Sequence, residues 1–263
     1  MKLISQNLVI VFLLINMTLY AQEEDKFVEM ITDRPDATES PSAVPVKTVQ
    51  VETGAFYESF KEGSTKDEII GYNTTLLRYG VFENFEVRLG WNFEEGRTTV
   101  DNTKFEDVAS GFSPLLLGMK VEVVEEKGFR PEIGVLGHLM LPFLASIDYR
   151  PETTGVDFRF SFGHTLSEKS SIGYNLGAQW GDDSSEAAYI YTIVYGYIIL
   201  EGLGIYAEIY GDIPEDSSGN HYWDAGLTYS IKNNIQLDAT VGKSITEGQD
   251  VLLNVGVSYR IPN

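Results

Sequence analysis

The chain has 263 residues and no cysteine. A disulfide framework and a thiolate metal site are therefore both excluded. Positive charge is scarce. Nineteen Lys and Arg stand against 39 Asp and Glu, a formal net charge of -20. That balance opposes binding to nucleic acid or to an anionic membrane surface. Histidine occurs only at His138, His164 and His221. No phosphate loop, dinucleotide fingerprint or HExxH pair is present, so no cofactor and no metal is expected. Helical periodicity is also lacking. With 43% apolar residues, the chain is too polar for a helical membrane bundle. It is not too polar for a membrane β-barrel, in which only alternate residues meet lipid.

What the chain does have is a period of two. In the stretch 69–93, Phe85, Val87, Leu89, Trp91 and Phe93 alternate with Glu86, Arg88, Gly90 and Asn92. One greasy face and one wet face define an extended strand. The run ending at Tyr79 is separated from it by Gly80–Asn84 alone, which is hairpin spacing. The same unit recurs at 48–58, 113–124, 131–141, 155–165, 170–180, 203–211, 221–231, 234–242 and 250–261. The run 187–200 (AAYIYTIVYGYIIL) is apolar on both faces, so its orientation is ambiguous. Twelve strands result, many near the ~9–11 residues that cross an apolar bilayer band. Links alternate between tight turns (Gly80–Asn84, Ser167–Lys169, Glu201–Gly202, Lys232–Asn233) and longer acidic loops (Glu94–Gly111, Pro142–Thr154, Gly181–Glu186, Asp212–Gly219, Lys243–Gln249). That asymmetry belongs to outer-membrane barrels.

The expected fold is therefore all-β: a single closed antiparallel transmembrane β-barrel of about twelve strands over residues 47–263. A soluble β-sandwich would alternate in the same way. Small residues on the polar face, even strand lengths and aromatics near strand ends (Tyr57, Tyr79, Phe85, Trp91, Trp180, Trp223, Tyr259) favour the barrel. The chain ends Tyr259-Arg260-Ile261-Pro262-Asn263 rather than on an aromatic residue. The signal read by the barrel-assembly machinery is thus expected to be atypical.

Two segments precede the barrel. Residues 1–21 read as a secretory signal: Lys2, the apolar run Leu8–Leu14, then a cleavage site near Ala21. As a membrane anchor the run is short of the about 20 residues required, and Asn16 and Thr18 interrupt its extension. Removing the leader takes away one lysine and no acid. Residues 22–46 hold three prolines and show no strand period, which predicts an irregular arm, periplasmic or luminal.

Several stretches together resemble a bacterial outer-membrane family, the MetA-pathway of phenol degradation group. They are Ile31-Thr32-Asp33-Arg34-Pro35-Asp36-Ala37-Thr38-Glu39-Ser40-Pro41, then Val49-Gln50-Val51-Glu52-Thr53-Gly54, then Leu77-Arg78-Tyr79-Gly80 with Phe85-Glu86-Val87-Arg88, and the run 223–241. The resemblance covers most of the mature chain. It implies an outer-membrane barrel with a transporter-like role in uptake. Fold alone does not carry a substrate.

Candidate site residues follow from parity. The inward set is Glu52, Arg78, Glu86, Arg88, Lys120, Glu122, Glu132, Asp157, Arg159, Glu208, Asp224, Asp238 and Arg260. Such charges form either a structural salt network or a selectivity ring. Arg78 faces Glu86 and Arg88 across the hairpin, so Arg–carboxylate pairing is expected. Acid outnumbers base eight to five in this set, which does not suggest anion selectivity. In the arm, Asp33, Arg34, Asp36 and Glu39 are candidates for docking into the lumen and gating it. His164 is the sole histidine on the lipid face, and no serine motif accompanies it, so a lipid-acting enzyme is disfavoured. The expected function is passive passage of small solutes, apolar or aromatic. The alternative is a non-conducting envelope barrel, structural or surface-binding. The expected partners are outer-membrane lipid, a small-molecule solute and the assembly machinery.

Overall fold

The computed structural model describes residues 30–181, 185–246 and 248–262. The expected signal segment and the first residues of the arm lie outside them. From residue 49 onward the alternating runs become strands, in the order β1 (Val49–Glu62), β2 (Thr65–Phe82), β3 (Phe85–Val100), β4 (Thr103–Lys104), β5 (Ala109–Phe112), β6 (Leu115–Val124), β7 (Glu132–Leu141), β8 (Gly155–Ser167), β9 (Ser170–Trp180), β10 (Ala188–Leu200), β11 (Leu203–Pro214), β12 (Asn220–Lys232), β13 (Ile235–Ser244) and β14 (Gln249–Arg260). Two single-turn 3-10 helices, Pro142–Leu144 and Ile147–Tyr149, interrupt the β7–β8 loop.

Twelve of these strands form a closed antiparallel wall. The seam is the pairing of β1 with β14, running from Gln50↔Arg260 to Phe60↔Gln249. β4 and β5 are extra: both pair with the far end of β3. The segment Glu94–Gly111, expected as a loop, is therefore largely strand. β1 and β2 also continue past the expected ends, to a tight turn at Gly63–Ser64. The reason is physical. Above the membrane both faces of a strand are wet, so the apolar period vanishes while the backbone ladder persists. Polar cross-strand contacts occupy this projection, such as Tyr57 Oη to Glu68 and Thr98 Oγ1 to Asp67.

Two-residue turns gather at the end that carries Val49 and Arg260: Glu83–Asn84, Glu168–Lys169, Glu201–Gly202 and Asn233–Asn234. Gly202 adopts φ +77°, which only glycine reaches without strain. The β6–β7 link, residues 125–131, shares that end; the other longer links lie at the opposite end, called the mouth here. The ambiguous run is settled by its neighbours: Ile190 and Thr192 of β10 are buried, whereas Tyr189, Ile193, Tyr195 and Tyr197 are exposed.

The molecule is inside-out relative to a soluble protein. Leu117, Phe160, Leu176, Leu227, Val241 and Val255 are exposed on the outer face, while Gln50, Glu52, Arg78, Glu86, Arg88 and Lys120 are almost wholly buried. An apolar band of this kind is stable only against hydrocarbon. Leu227 sits mid-strand in β12 and is 50% exposed. Leu227→Arg is expected to destabilise the barrel by about 2–4 kcal/mol, read as a lower urea midpoint in lipid bilayers. An unchanged midpoint would mean that lipid does not cover this face.

Candidate functional site: a lumen crossed by the arm

Residues 30–48 leave the turn end of the barrel, cross the lumen and return. Pro35, Pro41 and Pro45 cannot donate to a ladder, and the segment meets the sheet at its end, where Val46 bridges Gly80 of β2. Irregular backbone at membrane depth requires protein partners for its polar groups, and the inward side chains supply them. The backbone amides of Asp33, Ala37, Glu39 and Val44 donate to Glu52 (3.0 Å), Glu208 (2.7 Å), Asn175 (2.7 Å) and Glu86 (2.7 Å). The carbonyls of Ile31, Ala37, Glu39 and Ser42 accept from Gln50, Arg159, Asn175 and Arg78. Hydrogen bonds or ion pairs from the arm reach every wall strand except β12, among the described residues.

Asp33 is the electrostatic centre. Its carboxylate lies 2.8 Å from Arg88 Nη2, 2.8 Å from Lys120 Nζ and 3.0 Å from Arg78 Nη1. β2, β3 and β6 deliver these three cations because positions 78, 88 and 120 share inward parity on neighbouring strands. Arg78 also holds Glu86 at 2.9 Å and Glu52 at 3.0 Å. Arg88 holds Glu39 at 2.9 Å, and its Nη1 lies 2.8 Å from His138 Nε2. The expected Arg78–Glu86 pair is present. Arg88 instead turns to the arm, leaving Glu86 at 3.5 Å from its Nε.

Arg34 anchors the other side. It donates to Asp238 (2.9 and 3.3 Å), Asn254 (2.8 Å) and Thr74 (3.4 Å). It can do so because Gly54 and Gly256 leave room. A Cβ at either would fall 2.6 or 2.2 Å from the guanidinium.

The remaining sequence candidates divide by depth. Asp157 and Arg159 pair at 2.9 Å on β8. Glu208 accepts from Ala37 and Thr38. Arg260 is buried against Gln50 at the seam. Glu132 takes the Ser42 hydroxyl at 2.6 Å. Glu122 and Glu132 are only half-buried, near the turn end. Asp224 is 2% exposed, and its Oδ1 has no hydrogen-bond partner among the described residues. Asn175, Thr192, Gln50 and His138 also belong to the network. A search restricted to charge passes over them; inward parity of any polar residue would have found them. His221, the second residue of β12, contacts Tyr191 Oη through Nδ1 at 2.7 Å. His164 stacks on Tyr174 with ring centroids 6.0 Å apart.

The two arm aspartates respond to pH in opposite senses. Burial by itself would raise Asp33, but Arg78, Lys120 and Arg88 outweigh it and hold the carboxyl well below its usual range. Its contribution to docking is present above the ordinary carboxylate range and is lost as pH falls through the depressed value. Asp36 is pushed well above that range, by burial first and then by Glu208 and Asp224. Its contribution is complete below the ordinary range and is lost as pH rises through the raised value. Asp36→Asn is therefore expected to reduce a loosening of the arm at alkaline pH. Protease sensitivity of the arm, compared between mildly acid and alkaline buffer, reads this out. Equal pH dependence in the two proteins would refute it.

Above the arm, a cavity of about 380 Å³ is lined by Arg34, Glu39, Arg88 and His138 at its floor and by Leu76, Leu116 and Met140 at its sides. A second, of about 440 Å³, lies at the rim between Gln179, Pro151 and Pro214. Pro114 and Met140 line both, so the two spaces adjoin from the mouth down to the arm.

A closed twelve-stranded wall with a polar interior, an apolar exterior and short turns at one end defines an outer-membrane-type β-barrel, here with an arm-filled lumen. Solved structures of this kind are similar. An outer membrane channel from Pseudomonas putida F1 aligns with a TM-score of 0.63 at 15% identity, over 84% of this chain and 98% of that one. The CymD monoaromatic hydrocarbon channel aligns at 0.51 and 6% identity, over 83% and 90%. The KdgM porin, in complex with disordered oligogalacturonate, aligns at 0.50 and 11%, over 80% and 98%. No curated protein matches the sequence. The chain belongs to the family described as "Putative MetA-pathway of phenol degradation", whose model matches residues 32–261.

Proposed function

We propose that the protein is a passive outer-membrane channel for small solutes, apolar or aromatic, and that the arm is its gate. One observation carries the reading. The adjoining mouth cavities stop at a floor made of arm residues and ion pairs, not at a packed apolar core. A tethered segment held mainly by polar contacts can leave while exposing little hydrocarbon surface beyond Val44, Pro35 and Pro41. The family and the channel names of the similar structures agree with this reading. In this account the leader is cleaved near Ala21, the assembly machinery inserts the barrel, and lipid surrounds it. Asp33, Arg34, Asp36 and Glu39 hold the gate; Arg78, Arg88 and Lys120 receive it.

The same ion pairs favour a second reading, a closed scaffold. Asp33 ties β2, β3 and β6 together inside the barrel, as a structural salt network would. Single-channel recording in planar bilayers separates the two, using the mature chain and a chain that begins at residue 47. Absence of conductance in both would establish the scaffold and refute the channel.

A further inference from the structure

On the mouth side of the arm, one sector of the lumen is both acidic and aromatic. β11 and β12 place Tyr210 opposite Tyr222. Their rings stack with centroids 5.2 Å apart and planes 21° from parallel. Carboxylates surround the pair. Tyr210 is within electrostatic range of Asp224, Glu208 and Glu58, and Tyr222 of Asp212 and Glu58. Glu58 in turn feels Glu94 across the wall. Luminal cations are committed elsewhere: Arg34 to Asp238, Arg88 to Asp33 and Glu39, Arg159 to Asp157.

A second, independent feature points the same way. The Asp224 side chain is almost wholly buried, and its Oδ1 finds no donor among the described residues. A buried carboxylate oxygen without a donor is costly unless positive charge compensates it. A bare metal ion does not suit the sector. No three His, Asp or Glu groups come close enough to hold one among the described residues. The carboxyl groups are spread around a stacked ring pair instead. Aromatic faces attract cations whose charge is diffuse, quaternary ammonium above all.

We propose that this sector binds small organic ammonium ions entering from the mouth, with the lumen-facing parts of the stacked Tyr210 and Tyr222 rings as the aromatic surface and Asp224 and Glu58, ionised when the cation binds, as the counter-charges. Tyr210 and Tyr222 are only half-buried, so part of each ring still meets the lumen. The inference deepens the channel reading by naming a solute class, and it rests on that reading for delivery of the ligand though not for binding itself.

Isothermal titration of the folded full-length mature protein in nonionic micelles tests it. The probes are benzyltrimethylammonium, benzyl alcohol and benzoate, which share a ring and differ in charge. Benzyltrimethylammonium should bind saturably, and each of the others at least about tenfold more weakly. Tyr222→Ala and Asp224→Asn should each weaken the ammonium by about tenfold. Tyr210→Phe, which keeps the ring, should bind more tightly than Tyr210→Ala. Heat-modifiable electrophoretic migration establishes that each variant is folded. Benzyl alcohol binding as tightly as the ammonium would overturn the proposal, as would no saturable binding to folded wild-type protein. Binding without conductance in bilayers would refute the channel and leave the site standing. Conductance without binding would do the reverse.

Discussion

Removing residues 22–46 should convert a nearly closed barrel into one with severalfold higher single-channel conductance. The barrel wall does not need the arm. Its strands are held by a complete ring of ladders, with β1 closed on β14. In the channel reading the lumen needs it to stay shut, because arm groups bridge to β2, β3, β6, β9, β10, β11, β13 and β14. Once the arm is gone, the side chains it satisfied face open space that water can enter. Water then takes over the hydrogen bonds, and the cost of burying those charges falls. Heat-modifiable migration should remain while current rises. Equal current with and without the arm would mean that the segment fills a blind cavity and gates nothing.

The second large effect should come from a single atom group. Asp33→Ala leaves Arg78, Arg88 and Lys120 buried with one shared carboxylate fewer. Breaking a buried pair by deleting one partner costs about 3–5 kcal/mol. Here the cost falls on arm docking rather than on the wall, since the arm can leave while the ladders stay. The docked-to-free ratio should therefore drop by roughly 10²–10³. Glu86, Glu52 and Glu39 still neutralise part of the charge, which places the effect toward the lower end. Limited proteolysis of the arm measures it. An arm cut no faster in Asp33→Ala than in the wild type would show that Asp33 is not what holds it. Asp33→Asn should fall between the two, because it keeps hydrogen-bonding atoms without the charge.

Much of the architecture was legible before any coordinates. Period-two alternation located all twelve wall strands and assigned the faces correctly at positions such as Leu117 outside and Lys120 inside. It missed β4, β5 and the outer parts of β1, β2 and β3. There both faces meet water, so composition no longer reports on pairing. It also left 187–200 undecided, because Ile190 and Val194 are as apolar as Ile193. Only the register with β9 and β11 fixes that strand. For the lumen, parity found the charges but not their partners. Arg88 is the clearest case. Across the hairpin it faces Arg78, and Glu86 lies on its own strand, yet Asp33 and Glu39 of the arm claim it.

The sequence by itself determined a polar-inside, apolar-outside alternation, and that pattern admits only a sheet whose greasy face is covered. It could not determine how far the arm reaches, because three prolines and scattered acids carry no periodicity. Closure of the barrel decided that. It brought positions 78, 88 and 120 from three strands around one aspartate, and a ring of opposite charges formed only in three dimensions is invisible along one.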